Sequence, residues 1–428
     1  MSEWKTIKTS ELINQGILEI NDGYRAKNSE LSKEGLPFAR AQNINNGFIF
    51  NDADCFPLED LKRVGKKISK SGDVVFTSKG TVGRFAFVRN DTPQFVYAPQ
   101  LCFWRSLDES AICSRWLYYW MQSIEFYRQY KGVSGQTDMA EYVSLQDQRK
   151  MKITLPPLQV QKRIASILGA FDDKIELNRQ MNTTLEGMAQ ALFKSWFVDF
   201  DPVRVKAEGR PTGLPSHIAK LFPSEFEDST LGQIPKGWKV GALCDLFDIH
   251  GGGTPKTSVS DYWNGSIPWF SVTDSPSNNV FVIDTEKHIT EEGLNNSSVN
   301  LLPIGTTVIS ARGTVGKCCI AGIPMTTNQS CYALRAKKGF QDYYVYFSVV
   351  QQVENLQRSG HGSVFNTITR NTFTTIFQPL PPPTIVDTWE TKVTTIMQRM
   401  QSNAFEINTL STLRDTLLPK LLSGEIKI

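Results

Sequence analysis

The sequence predicts an α+β fold of two similar α/β globular units, each followed by a long α-helix. Three observations predict it. One ordered set of landmarks occurs twice along the 428 residues. Each copy closes on a clamp of prolines. After each clamp the apolar spacing changes to the three-and-four rhythm of a packed helix. The boundaries implied are 1–155 for the first globular unit, 156–198 for its helix, 199–230 for a linker, 231–380 for the second unit and 381–428 for the second helix.

The landmarks run in the same order in both copies. Each begins with Trp-Lys, at Trp4-Lys5 and at Trp238-Lys239. An apolar segment then opens an Asn-rich turn, PFARAQNINNGFIF from Pro37 and IPWFSVTDSPSNNVFV from Ile267. Next, a strand-like run enters a glycine turn with a shared core, KGTVGR at Lys79–Arg84 and RGTVGK at Arg312–Lys317. A strand with an interior glutamine follows, with Gln100 matched to Gln329. Aromatic helix-like stretches come next, Trp116 to Tyr130 and Tyr343 to Gln357, and then polar glycine loops, GVSGQTD from Gly132 and SGHGSVFN from Ser359. The clamps are LPPL at Leu155 and LPPP at Leu380. The offset drifts from 233 residues at the turns, Lys79 against Arg312, to 225 at the clamps, Leu155 against Leu380. Drift of that kind reflects loops of different length within one shared fold.

Beyond the clamps, Ile164, Ile167, Phe171, Ile175, Met181, Leu185, Met188, Leu192 and Trp196 follow helical spacing. So do Trp389, Val393, Ile396, Met400, Ile407, Leu410, Leu417 and Leu421. Steps of three, four and seven are those of a coiled-coil seam. Asn178 and Asn408 occupy matching places in IELN and FEIN, where a polar seam residue fixes register. Forty helical residues would span about 60 Å. Proline suits a helix entrance, where its missing N–H costs little, whereas Pro419 predicts a kink or restart. The linker carries DPVR, GRPTGLP and FPSEFEDS, punctuated by proline and glycine.

Composition excludes several classes. The net charge of +3 is too small to make the chain a general polyanion binder, so any nucleic-acid contact must come from local patches. There is no apolar run of membrane-spanning length, and Met1 to Leu12 lacks a signal-peptide core. Seven cysteines without a C-x-x-C pair, and four scattered histidines, predict reduced thiols and no metal site. No P-loop is present, and no G-x-G-x-x-G follows a strand. The double prolines follow leucine, which cannot hydrogen-bond a target amino group, so an amino-methyltransferase motif is absent too. The run Gly251-Gly252-Gly253-Thr254 admits an anion-binding nest, although no helix follows it. On spacing alone, the basic glycine turns also fit plain hairpins with solvated ends. The two glutamines also fit satisfied core amides, and the aromatic stretches fit core helices better than base-stacking platforms.

Taken in order, these segments resemble the specificity subunit of type I restriction-modification systems. WFVDFDPV from Trp196, GQIPKGWKV from Gly232, GGGTPKT from Gly251, DYWNGSIPW from Asp261 and LLPKLLSGEI from Leu417 carry the resemblance. It covers nearly the whole chain, and the first unit departs more, lacking the GGTP and IPW segments. The resemblance implies two DNA target-recognition domains and an antiparallel coiled coil of the two long helices. It implies a non-catalytic chain that reads a bipartite site in double-stranded DNA in the prokaryotic cytoplasm. Two methyltransferase subunits, using S-adenosylmethionine, and restriction/translocase subunits, using ATP and Mg, are the partners implied, with no membrane involved. Candidate DNA contacts are Lys79, Thr81, Arg84, Gln100 and Gln136 in the first unit. In the second they are Arg312, Thr314, Lys317, Gln329, His361 and Ser363. Two rival readings are a helical scaffold without sequence specificity and an enzyme with an unmarked site.

Overall fold

A computed structural model describes residues 4–45, 47–134, 141–276, 279–359 and 367–428. The chain divides into two compact units, Met1–Asp173 with Leu410–Ile428, and Lys174–Thr409. The first unit is built on an antiparallel four-stranded sheet in the order Leu18–Asp22, Leu101–Ser106, Val74–Thr77, Phe85–Phe87. A strand's side chains alternate between faces, and here both faces are buried. Val74, Phe76, Cys102 and Trp104 enter one core, while Val75, Ala86, Leu101 and Phe103 enter another. That two-sided burial is why VVFT and LCFW read as continuous apolar runs rather than as alternation. A smaller sheet joins Cys55–Phe56, Leu36–Ala39 and Val96–Tyr97, and the strand Lys5–Lys8 pairs with Lys152–Leu155 at the foot of the first long helix.

The second unit repeats this plan. Its five-stranded sheet runs Phe247–Gly251, Cys331–Ala336, Thr307–Ser310, Cys318–Ala321, Phe281–Val282. The registers correspond: Val75 opposes Ala86 in the first unit, and Val308 opposes Cys319 in the second. Thr77 opposes Leu101, and Ser310 opposes Cys331. The strand Lys239–Ala242 pairs with Phe377–Leu380, just before the second long helix. In both units the aromatic stretches are core helices. Trp116, Tyr119 and Trp120 are buried in Ser114–Trp120, and Tyr344, Tyr346 and Phe347 in Asp342–Gln351.

One buried ion pair distinguishes the first unit. Asp73 is fully buried, and its carboxylate accepts from Arg105 Nε at 2.6 Å and Nη2 at 2.8 Å. It also accepts from the Tyr97 hydroxyl at 2.7 Å and the Lys70 amide at 2.9 Å. Burial and the Asp73 charge push the Tyr97 phenol well above its ordinary pKa, so it stays a donor.

The two long helices, Leu158–Phe197 and Pro383–Leu422, have 40 residues each. Both begin at a proline clamp, as expected of helix entrances. In the first unit Asp172 pairs with Arg414 at 2.7 Å, and Ile164, Leu168, Leu418 and Leu421 share one core. In the second, Asn178 Nδ2 donates to Glu406 at 2.9 Å, and Asn403 Nδ2 donates to Asn182 Oδ1 at 2.8 Å. Partner numbers fall along one helix as they rise along the other, so the packing is antiparallel.

The structure departs from three of these expectations. Asn408 is exposed, and the seam asparagine of the second helix is Asn403, which is fully buried opposite Asn182. Met188 is 55 % exposed, and Ala189 takes its place on the seam. The second helix continues through Pro419 to Leu422, so it does not restart there. The segment 199–230 carries the helices Asp201–Ala207 and Ser216–Ala219 and the strand Phe226–Ser229. Its Phe200, Val203, Ile218 and Phe222 are buried in the core of the second unit.

Candidate nucleic-acid interface

Each glycine turn connects two neighbouring antiparallel strands of its sheet, and both glycines in each turn are required. Gly80 and Gly83 have φ of 83° and 99°, and Gly313 and Gly316 have 74° and 90°. These are left-handed conformations that side chains disfavour. At Gly83 a Cβ would also sit 2.7 Å from the Tyr130 hydroxyl. The two turns share their internal bonding. Thr77 Oγ1 accepts the Arg84 amide at 2.8 Å, and Ser310 Oγ accepts the Lys317 amide at 2.9 Å. Val143 N donates to Ser78 O at 2.9 Å, and Ile368 N donates to Ala311 O at 3.0 Å, backing the turns from behind.

This backbone holds Lys79, Thr81 and Arg84 exposed in the first unit, and Arg312, Thr314 and Lys317 exposed in the second. None of the four cations makes an ion pair among the described residues, although Glu141, whose carbonyl accepts the Gly80 amide, is taken by Lys131. They differ in one respect. Arg84 Nη1 donates to the carbonyls of Ile44 at 3.3 Å and Ala41 at 3.4 Å, which holds the guanidinium against its own unit. Lys317 has no such side-chain bond among the described residues and borders an open groove of about 430 Å³.

That groove brings Arg312, Thr314 and Lys317 together with four residues that the sequence did not single out: Ser271, Thr273, Asn328 and Ser330. They come from two other segments. Ser271–Asp274 is a tight turn after the strand Trp263–Phe270, closed by Asp274 accepting the Ser271 amide at 2.7 Å. Asn328 and Ser330 lie at the entrance to Cys331–Ala336, with Asn328 N donating to Phe270 O at 2.9 Å. Burial pushes the neighbouring Cys331 thiol up to about 12, so it is neutral and no nucleophile.

The interior glutamines are not brought to matching places. Ser78 N donates to Gln100 O at 2.9 Å and Ala311 N to Ser330 O at 2.8 Å, so Gln100 corresponds to Ser330 and Gln329 lies one residue earlier. Gln100 Oε1 is enclosed and without a hydrogen-bond partner among the described residues. Gln329 is exposed and accepts from Thr254 Oγ1. Gln136, His361 and Ser363 lie outside the described residues.

The Gly251–Gly253 run does not form an anion nest. Gly253 N is committed to Thr327 O at 2.9 Å and Gly252 N to Cys331 O at 3.4 Å. A Cβ on Gly252 would lie 2.0 Å from Asn328 O, and one on Gly253 2.4 Å from Ser298 Oγ. These glycines permit close backbone approach to the strand entrance that carries Asn328. Among the described residues, no group of three His, Cys, Asp or Glu side chains is placed to hold a metal, and no helix is long and apolar enough to cross a membrane. The seven cysteines are unpaired.

Residues 1–187 and 235–412 match the family described as type I restriction modification DNA specificity domain. The chain is 28% identical over 433 residues to the specificity subunit of the type I restriction enzyme HindI from Haemophilus influenzae, covering 90% of this chain and 94% of that one. It is 32% identical over 165 residues to the MjaIX specificity subunit from Methanocaldococcus jannaschii, 38% of each chain. The crystal structure of a type I restriction-modification S subunit from M. genitalium has the same fold, with a TM-score of 0.56 and 15% identity across 98% of this chain and 96% of that one. The family match spans both globular units and most of the chain: this protein belongs to the type I restriction-modification DNA specificity subunits.

Proposed function

We propose that this chain is the non-catalytic reader of a bipartite double-stranded DNA site. The recognition domains are residues 1–155 and 231–380, each reading one half-site through base edges in the major groove while phosphate contacts fix position. The helices at 156–198 and 381–428 set the gap between half-sites. They also present a surface to two methyltransferase subunits, which bind S-adenosylmethionine. Restriction/translocase subunits supply ATP- and Mg-dependent cleavage, and the complex works in the prokaryotic cytoplasm. The observation that carries the reading is the pair of matching turns, each holding two exposed cations that have no acidic partner among the described residues, on a glycine backbone that permits close approach. A helical scaffold without sequence specificity is not favoured, because the family match covers both globular units.

The test is substitution of both cations of one turn, Arg312→Ala with Lys317→Ala, in the assembled complex. Each lost phosphate contact should reduce the slope of log affinity against log salt by about one, so the pair should reduce it by about two. Affinity should fall evenly across DNA sequences, measured by fluorescence anisotropy over a salt series. An unchanged slope would leave these turns as hairpins without a part in binding. The matched pair Lys79→Ala with Arg84→Ala should give a smaller change, because Arg84 is partly engaged by the carbonyls of Ala41 and Ile44.

A further inference from the structure

The groove of the second unit contains hydrogen-bonding groups whose polarity the protein itself presets. Asn328 Oδ1 accepts the Ser330 amide at 3.0 Å. A backbone N–H can only donate, so the oxygen of the Asn328 amide must face Ser330 and the nitrogen must face away. Among the described residues Asn328 Nδ2 has no partner, and it presents donors alone to the groove.

Thr273 is fixed in the opposite sense. The Ser271 hydroxyl donates to Asp274 Oδ2 at 2.9 Å, and a carboxylate is the stronger acceptor available to it. Ser271 Oγ and Thr273 Oγ1 are 2.7 Å apart, so with the Ser271 proton committed, Thr273 must donate to Ser271. Asp274 is held in turn by the Ser271 amide at 2.7 Å and the Glu286 amide at 2.8 Å, which keeps it in place. The Thr273 proton is thereby consumed, and its oxygen offers an acceptor to the exposed side. The groove therefore presents a donor and an acceptor together with the cations Arg312 and Lys317.

Base edges in the major groove differ in this respect. Guanine N7 and O6, adenine N7 and thymine O4 accept, whereas cytosine N4 and adenine N6 donate. We infer that Asn328 and Thr273 are specificity-determining residues of the second unit, Asn328 reading a base-edge acceptor and Thr273 a base-edge donor. Arg312 and Lys317 hold the backbone of the same DNA segment. The inference rests on the reading of the chain as a DNA-specificity subunit and assigns that specificity to particular atoms. The first unit has Ala98 and Gln42 nearest these places in its own sequence order, so the two units read different bases.

The experiment is methylation mapping of a randomised site library by the assembled complex, with Asn328→Asp and, separately, Thr273→Val. Asn328→Asp keeps an oxygen for the Ser330 amide but removes the donors. Thr273→Val keeps the side-chain shape and removes the acceptor. Each variant should lose about 5- to 150-fold of discrimination at one position of one half-site, the range for one good base contact. The other half-site should be unchanged. The Thr273 variant adds no charge, so it guards against loss of binding through repulsion of phosphate by the new carboxylate. If both variants methylate DNA with the wild-type base preference at every position, or lose affinity evenly without a change in preference, the inference is overturned. If the wild-type complex itself shows no base preference, the reading of the chain as a specificity subunit fails with it, which the wild-type arm alone reveals.

Discussion

Replacing Asp73 with alanine is expected to destabilise the first unit by about 3–5 kcal/mol, the usual effect of breaking a buried ion pair by removing one partner. The Arg105 guanidinium, 5% exposed and stacked 4.6 Å over the Phe103 ring, would be left charged in the core. Tyr97 OH and the Lys70 amide would lose their acceptor as well. The position corresponding to Asp73 in the second unit is Thr306, whose neutral hydroxyl donates to Pro303 O at 2.6 Å and accepts from Arg335 Nη1 at 3.5 Å, while Arg335 takes its carboxylate from Asp342. The loss should therefore be confined to one unit. Hydrogen exchange under mild denaturant would show it as early opening of Val74–Thr77 and Leu101–Ser106, with Thr307–Ser310 protected as in the wild type. A loss under about 1 kcal/mol would mean that Arg105 finds compensation in Glu19, which lies 3.4 Å from it.

Lengthening the helices is expected to lengthen the gap between half-sites by one or two base pairs. Four residues add about 6 Å and little more than one full turn, so the faces beyond the insertion keep nearly the same orientation. A DNA step is about 3.4 Å. The observed registers dictate that the insertion be made in both helices. In the first unit Asp172 meets Arg414, and in the second Asn182 meets Asn403. Matched insertions between Asp173 and Lys174 and between Thr409 and Leu410 leave each of these pairings intact, whereas a single insertion would set one against the other. Circular dichroism should show that helicity survives. Methylation mapping against sites of graded gap should then show the preference displaced, with the bases of both half-sites unaltered. A folded, active variant that kept the original gap would show that the helices are not the spacer.

Much of the architecture was legible because it is written twice. Strand, glycine turn and strand recur with the same residue types, and the registers of Val75 with Ala86 and Val308 with Cys319 follow from them. The turn glycines were legible for a local reason, since a tight turn at that point needs left-handed backbone. Positions that depend on which face is buried were less so. Asn408 and Asn403 differ by five residues on a helix, and a mixed three-and-four pattern leaves the seam's rotation open until the partner helix is in place. Gln100 and Gln329 were matched one residue out of register, which in a strand exchanges one face for the other. The apolar residues of 199–230, among them Phe200 and Phe222, sit between prolines and glycines and show no period, yet they complete a core. Ser271 and Thr273 fall in the repeat segment from Ile267, and Asn328 and Ser330 flank Gln329, but no signal singled out the residues themselves. They are small polar residues on separate segments, and only the pairing of Trp263–Phe270 with Thr326–Thr327 brings them to one groove.

Exchange of residues 231–380 for the corresponding domain of a relative with a different DNA site tests the central claim most directly. The complex carrying the exchanged chain would be mapped by its methylation of a randomised DNA library. The account predicts that one half-site changes to that of the donor relative, while the other half-site and the gap stay as they were. If both half-sites changed together, or neither did, the chain would not be two independent readers.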